Sequence, residues 1–289
     1  MKRVIGAVYA PAMLAVFNGA AIFAVAMGWP PATLGGLALA AISASFACER
    51  WAPYQPDWNR PRGDVRRDLA HALTNEGLTL LALGAIPLLA AVRPWAGIWP
   101  TEWPVWAQWL VAVVVADLGI TLTHYFSHRW AWLWRFHAVH HSPTRMYGFN
   151  GLMKHPAHLA AEMGVGTAPL LLAGMPYEVA LLLGFSVMIQ LLLQHSNVDM
   201  RIGPLRRVLA LAPVHRSHHR KWAKEGDVNF GLFLTVWDRL LGTAVWEPDH
   251  RFISDDIGIG TQPDYPVGYL AQLAEPFRKA EAVEVSEIS

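Results

Sequence analysis

Four apolar runs, at residues 4–28, 32–48, 72–92 and 104–123, constrain this chain more than any other feature. A helix needs roughly 20 apolar residues to cross a bilayer, and each run is near that length, with 32–48 at the short limit. Two shorter runs, 159–173 and 177–194, are joined by Gly174-Met175-Pro176 and predict a helical hairpin that either crosses the membrane or dips into it. One such run fits a buried core helix of a soluble protein; six do not. Composition agrees, with 54% of the 289 residues hydrophobic and 16% charged, against about 25% charged in an ordinary soluble domain. The expected fold is all-α: a polytopic membrane bundle of four transmembrane helices plus the hairpin, with a cytoplasmic, histidine-rich helical cap.

Charge sets the orientation. With Lys2 and Arg3 cytoplasmic and each long run crossing once, the Arg-rich 49–68 loop is cytoplasmic, and so is everything after His124 outside the hairpin. Then 22 of the 23 Lys and Arg residues lie inside and Arg93 alone lies outside, which is the asymmetry of the positive-inside rule. A net charge of +1 gives no reason to expect a nucleic-acid partner. The single cysteine, Cys48, excludes an internal disulfide and any multi-cysteine metal site. The first run is too long for a signal peptide and lacks a small-residue cleavage site, so it reads as a retained anchor. No ER-retrieval tail is visible, and the bacterial inner membrane is the expected compartment.

Eleven of the 13 histidines fall between His124 and His219, and eight of them form three boxes. His124 and His128 make an HxxxH. His137, His140 and His141 make an HxxHH, as do His215, His218 and His219. On a helix, positions i, i+3 and i+4 share a face, so each box is expected to aim its imidazoles at one point. Neutral imidazole is the commonest protein ligand for zinc, copper, iron and nickel. A lone buried histidine is usually a satisfied core residue, but three clusters at ligand spacing indicate a metal centre with more than one ion. The chain then divides, as one membrane-embedded domain over 1–289, into transmembrane helices (1–123), boxes one and two (124–158), the hairpin (159–194), a cap with box three (195–276) and a flexible tail (277–289). Pro143 should end the helix of box two and Pro213 should open that of box three.

The order HxxxH, HxxHH, HxxHH resembles the fatty acid hydroxylase/sterol desaturase superfamily of integral-membrane oxygenases. Flanking residues extend the likeness: Asp117, Trp134-Arg135-Phe136-His137, Ser142-Pro143-Thr144, His155-Pro156, His195-Ser196-Asn197, Asn229-Phe230-Gly231, Trp237-Asp238-Arg239 and Gly242-Thr243. It covers about residues 110–245. The resemblance implies a non-haem centre of two irons, for which zinc readily substitutes on purification, with O2 as co-substrate. It also implies the eight box histidines as ligands, His195 as a ninth and His155 as a tenth candidate. Some members place a second histidine one turn before the His195 position, where this chain has Leu191. His158 stands where relatives carry an acidic residue, and its role is open. His71 and His250 match no ligand position and read as ordinary interface or surface residues.

The chemistry is consistent with that resemblance. An unactivated C–H bond yields only to O2 reduced at a redox metal, and zinc has no accessible redox change. Hydroxylation and desaturation both stay open, as do sterol, fatty acyl and other lipid substrates. A ligating imidazole usually donates its second N–H to a carboxylate or carbonyl. Asp117, seven residues before His124 within an apolar run, is expected in that role, with Asp238 and Asn229 as weaker candidates. Glu76 and Glu162 either line the substrate path or face neighbouring helices. Tyr147, Phe149, Met153 and Trp222 are candidate cavity walls. No electron-donor domain is visible, so a separate ferredoxin, cytochrome or reductase is required. The run Arg216, Arg220, Lys221, Lys224 faces either that carrier or anionic headgroups. No box contains the glutamate of an HExxH protease, and a haem cytochrome leaves six histidines without a role. A non-catalytic metal transporter or storage protein is the remaining alternative.

Overall fold

The computed structural model describes residues 1–92, 97–247 and 249–278. Arg93, the one cation expected outside, and the tail from residue 279 onward lie outside the described residues. The elements that frame the molecule are helices: α1 (Lys2–Ala26, with a π turn at Met13–Phe17), α2 (Ala32–Trp51), α3 (Val65–Val92), α4 (Val105–Arg129), α5 (Ala131–His141), α6 (Pro156–Ala173), α7 (Tyr177–His195) and the single turn α8 (Ala212–His215). Among the described residues there is no named strand, only isolated bridges. Five helices, α1, α2, α3, α4 and α7, are long and apolar enough to cross a membrane. This is the polytopic helical architecture that the apolar runs predict.

The hairpin of α6 and α7 runs the full depth of the bundle. The Trp99 N–H, in the turn that leads into α4, donates to the Ala173 carbonyl at the far end of α6 (2.9 Å). Gly174 then closes α6 in the left-handed conformation (φ 95°) that a side chain disfavours. α7 is the axis of the molecule, buried along most of its length from Val179 to His195. α4 and α6 meet backbone to backbone: a Cβ on Gly119 would lie 2.7 Å from the Gly166 Cα. Small residues at such a crossing let membrane helices gain packing that lipid does not supply.

One end of the bundle gathers the polar connections. The Arg201 N–H donates to the Gly6 carbonyl (2.8 Å), tying the segment after α7 to the start of α1. The Glu49 carboxylate, near the end of α2, accepts from the N–H groups of Gly148 (2.9 Å) and Asn197 (3.0 Å). Asn197 also donates to the Gln55 carbonyl and the Asn59 side chain. All three histidine boxes lie at this same end. α5 stops at His141, two residues before Pro143, and Pro213 sits in the first turn of α8, as the sequence predicts.

Candidate metal centre

α4 continues unbroken from the apolar run into box one, so His124 and His128 lie on one face of its last turns. α5 carries box two. Box three spans α8 and the 3-10 turn Arg216–His219, and His195 ends α7. These elements bring nine imidazoles into two groups. In the first, the donor nitrogens of His124, His128, His137, His141 and His218 lie within 4.8 Å of one another; in the second, those of His140, His195, His215 and His219 do. The groups share a wall. The His141 ring stacks on His219 (centroids 4.6 Å apart) and His215 stacks on His218 (4.9 Å).

The expectation that each box aims at a single point is corrected by this geometry. Boxes two and three each divide. The i, i+4 pair His137 and His141 joins box one, while His140 crosses to the second group. His215 and His219 form the second group with His195, while His218 crosses to the first. Around a helix, i and i+4 are about 40° apart, whereas i+3 and i+4 are about 100° apart. An HxxHH segment therefore serves two centres at once.

The donor set fits cations. His124 and His218 direct Nδ1 at the carbonyls of Phe230 (2.8 Å) and Val228 (2.9 Å). A carbonyl only accepts, so both Nδ1 atoms carry the proton and both Nε2 atoms present lone pairs. Those two Nε2 atoms face each other at 2.8 Å. The second group repeats the pattern. His140 donates to the Met153 carbonyl (3.1 Å) and His195 to the Leu191 carbonyl (3.1 Å), with their Nε2 atoms 3.2 Å apart. Lone pairs so opposed repel unless a cation lies between them. Ligands about 2.1 Å from one metal at a right angle are about 3.0 Å apart. Burial first, then the adjacent imidazoles, holds His137, His140, His141, His215, His218 and His219 well below the usual histidine range. They are neutral, the form that coordinates metal.

A single turn orients two members of the first group. Asn229 adopts a left-handed backbone (φ 54°), which lets the carbonyls of Val228 and Phe230 both reach imidazoles. Its side chain is fixed by bonds to Val214 and Val245. Asp238 accepts from the N–H groups of Phe230 (2.6 Å) and Gly231 (2.9 Å) and from the Thr243 hydroxyl (2.8 Å), holding the same turn. The carboxylate that meets an imidazole directly is one that sequence reasoning missed: Asp227 accepts from His128 Nδ1 at 2.9 Å. Eight residues past box three, it has no helical relation to His128 that could have flagged it.

Asp117 plays a different part from the one expected. It touches no imidazole. Its two oxygens accept from the N–H groups of Phe233 (2.8 Å) and Leu234 (3.0 Å) and from the Trp237 indole (2.8 Å). It therefore clamps the cap segment to α4 and acts on His124 only through the backbone that presents the Phe230 carbonyl. His155, the tenth candidate, is in neither group. Its Nδ1 accepts from the Ala157 N–H, capping α6, and its Nε2 lies against the Leu273 carbonyl (3.2 Å). His158 packs on His137 (centroids 4.4 Å) and bonds the Ser127 hydroxyl (2.8 Å). His71 bonds Gln272 and the Lys154 carbonyl, and His250 pairs with Asp256, both away from the centre. Where a second histidine would precede His195, Leu191 supplies its carbonyl. Gly151 leaves room for that arrangement, since a Cβ there would lie 2.8 Å from His195 Nδ1.

Two spaces meet the imidazoles. A small pocket of about 10 Å³ is lined by members of both groups together with Lys154, Glu162, Leu191 and Ile120. Lys154, Leu191 and Ile120 also line a larger apolar cavity of about 130 Å³ between α3, α4, α6 and α7. Glu76 is in its wall, while Glu162 pairs with Lys154 beside the imidazoles. Tyr147, Phe149, Met153 and Trp222 do not line it: Tyr147 bonds Asp68, Met153 is buried behind His140, and Trp222 is exposed. On the other side, a depression of about 300 Å³ reaches His128, His141 and His218 past Arg129, Arg220 and Lys221. Arg216 leaves the expected cationic run. It is buried and stacks on Tyr54 at 3.8 Å.

Comparison with known proteins agrees with this geometry. Residues 109–243 match the sequence profile of the fatty acid hydroxylase family. The ornithine lipid hydroxylase OlsE of Rhizobium tropici is 36% identical over 258 residues, which cover 86% of this chain and 76% of that protein. Alkylglycerol monooxygenase of Danio rerio is 27% identical over 222 residues, covering 72% of this chain and 49% of that protein. The human alkylglycerol monooxygenase is 27% identical over 145 residues, covering 50% of this chain and 31% of that protein. No solved structure matches the chain.

Proposed function

We propose that this chain, which belongs to the fatty acid hydroxylase family, hydroxylates an unactivated C–H position of a membrane lipid with O2 at a centre of two irons. The observation that carries the reading is the pair of imidazole groups around a small pocket that shares Ile120, Lys154 and Leu191 with an apolar cavity among membrane helices. Hydroxylation is favoured over desaturation because the relatives are named as a hydroxylase and monooxygenases. The first group would hold one ion through His124, His128, His137, His141 and His218, and the second another through His140, His195, His215 and His219. Iron bound there supplies the redox change that O2 activation needs. Per turnover, one oxygen atom enters the C–H bond and the other leaves as water, consuming two electrons and two protons.

The protein's own contribution is positioning and exclusion. The cavity takes the lipid sideways from the bilayer, and Ile120, Leu191 and Lys154 mark where it meets the imidazoles. The carbonyls of Phe230, Val228, Met153 and Leu191 fix the tautomer of four imidazoles, so the donor atoms are placed before any ion binds. Water is confined at that point to a pocket of about 10 Å³. Electrons come from a separate carrier on the cytoplasmic side. The depression walled by His128, His141 and His218, with Arg129 and Lys221 in its lining, offers them an approach.

The test is to reconstitute the purified protein with iron and a chemical reductant and supply ornithine lipid under heavy-oxygen-labelled O2. One labelled oxygen atom in the product supports the reading. Loss of two hydrogens without oxygen would make the enzyme a desaturase, and bound metal without any lipid product would favour a transport or storage protein.

A further inference from the structure

A further cavity, of about 560 Å³, opens at the end of the bundle that carries the histidine boxes. None of the nine imidazoles and no residue of the apolar cavity lines it. One wall is the segment after α7, with Asp199, Arg201 and Arg206. Pro213 and Arg216, which bracket His215, form a second, and Glu247, Asp249, Arg251 and Phe252 a third. The Arg201 N–H donates to the Gly6 carbonyl (2.8 Å), so the cavity sits beside the start of α1. Leu205 and Val208, on either side of Arg206 and Arg207, are exposed there.

The lining has an excess of unpaired positive charge. Arg201, Arg206, Arg216 and Arg251 all face the cavity, and none forms an ion pair among the described residues. Glu247 is committed to Arg220 (2.7 Å), and His250 pairs with Asp256. Asp199 and Asp249 are the remaining carboxylates of the lining. Four guanidinium groups against two carboxylates leave a formal charge of +2. Arg216 makes the imbalance costly, because it is 3% exposed and a buried charge without a counter-charge is strongly disfavoured. Its Nη2 donates to the carbonyls of Ser196 (2.9 Å) and Val198 (3.2 Å), while its Nε is buried with no partner. The Tyr54 ring braces two of the four groups, with the Arg216 and Arg251 Cζ atoms 3.8 and 4.6 Å from its centroid.

We infer that this cavity binds a phosphate monoester through the guanidinium groups of Arg201, Arg206, Arg216 and Arg251. Such a group carries a charge of about −1.5 to −2 at pH 7, which matches the excess in the lining. Planar guanidinium groups also fit phosphate oxygens two at a time. A single carboxylate or a phosphodiester carries one negative charge and leaves about half of the excess unmet. The monoester is either dissolved or the headgroup of a lipid, since the cavity lies beside the first membrane-spanning helix. The site is separate from the metal centre yet braced on it: Arg216 follows His215, and the Ser196 carbonyl it holds follows His195.

The readout is binding, so the test does not depend on the oxygenase reading. The full-length protein with its metal, in neutral detergent, is titrated by native mass spectrometry with glycerol 3-phosphate and with dioleoyl phosphatidic acid. Glycerol and dioleoyl phosphatidylcholine are the matched controls. At least one phosphate probe should bind about tenfold more tightly than its control, and Arg206→Gln and Arg251→Gln should each remove about tenfold of that affinity. Both positions are exposed, so neither change should threaten folding as loss of the buried Arg216 would. Arg60→Gln, which deletes an exposed cation outside the cavity, should bind as the wild type does. Binding of the lipid alone assigns the site to a membrane headgroup, and binding of glycerol 3-phosphate as well assigns it to the phosphate itself. Equal binding of probes and controls, or full affinity in both Arg206→Gln and Arg251→Gln, overturns the inference. So does an equal loss in Arg60→Gln, which would reduce the effect to general surface attraction.

Discussion

Asp227→Ala should weaken one metal position and spare the other. The Asp227 carboxylate accepts from His128 Nδ1 at 2.9 Å and is 23% exposed, while the opposite nitrogen, Nε2, is buried with no protein partner. The bond does two things: it keeps the proton on Nδ1, so that Nε2 presents a lone pair, and it adds negative charge behind the ring. Loss of such a partner typically costs ten- to a hundredfold in metal affinity, or about 1.4 to 2.7 kcal/mol. Partial exposure of Asp227 and a looser contact to Arg129 (3.8 Å) place the expectation near the lower value, about tenfold. Asp227→Asn should cost less, because the amide oxygen still accepts from Nδ1. The assay is stepwise competition with a chelator, reading ions retained per chain. One ion should leave at about a tenth of the wild-type chelator strength, and the second should be held as before. Equal weakening of both ions, or no weakening of either, would refute the assignment of His128 and Asp227 to a single position.

Asp117→Ala should act on folding more than on turnover. It strips acceptors from two backbone N–H groups and an indole N–H, each costing about 1 to 3 kcal/mol when left buried and unmet, and a lowered unfolding temperature in detergent checks it. A normal unfolding temperature with lost activity would return Asp117 to a direct role. Gly151→Ala should displace His195, because the new methyl would lie 2.5 Å from the Leu191 carbonyl and 2.8 Å from the ring nitrogen. The expected result is retention of a single ion, measured by metal analysis. Leu83→Trp should fill the apolar cavity, abolishing lipid turnover while leaving metal content unchanged; a parallel fall in metal would mean that the cavity and the centre are not separate.

Helices α1 to α4 and the hairpin were legible because bilayer thickness forces the length of an apolar run, and Gly174 marks where the hairpin turns. That His124 and His128 continue α4 was equally plain, since nothing between Val105 and Arg129 breaks a helix. The division of boxes two and three between two groups lay within reach of helix geometry, through the roughly 100° between adjacent residues. The shared-face rule obscures it. Asp117 shows where sequence reasoning stops. Its register above His124 is real, but its oxygens are claimed by Phe233, Leu234 and Trp237, more than a hundred residues away. Asp227 and the left-handed Asn229 were hidden for the same reason. Their partners are set by how the cap folds back onto α4, and no local pattern encodes that.

Under the proposed function, nine histidines hold two redox-active ions in one coupled centre. That arrangement is tested most directly by metal analysis and Mössbauer spectroscopy on protein produced with isotopically enriched iron and reconstituted anaerobically. The expected result is close to two irons per chain with the spectrum of a spin-coupled pair. A single ion per chain, or no iron taken up under those conditions, would contradict it.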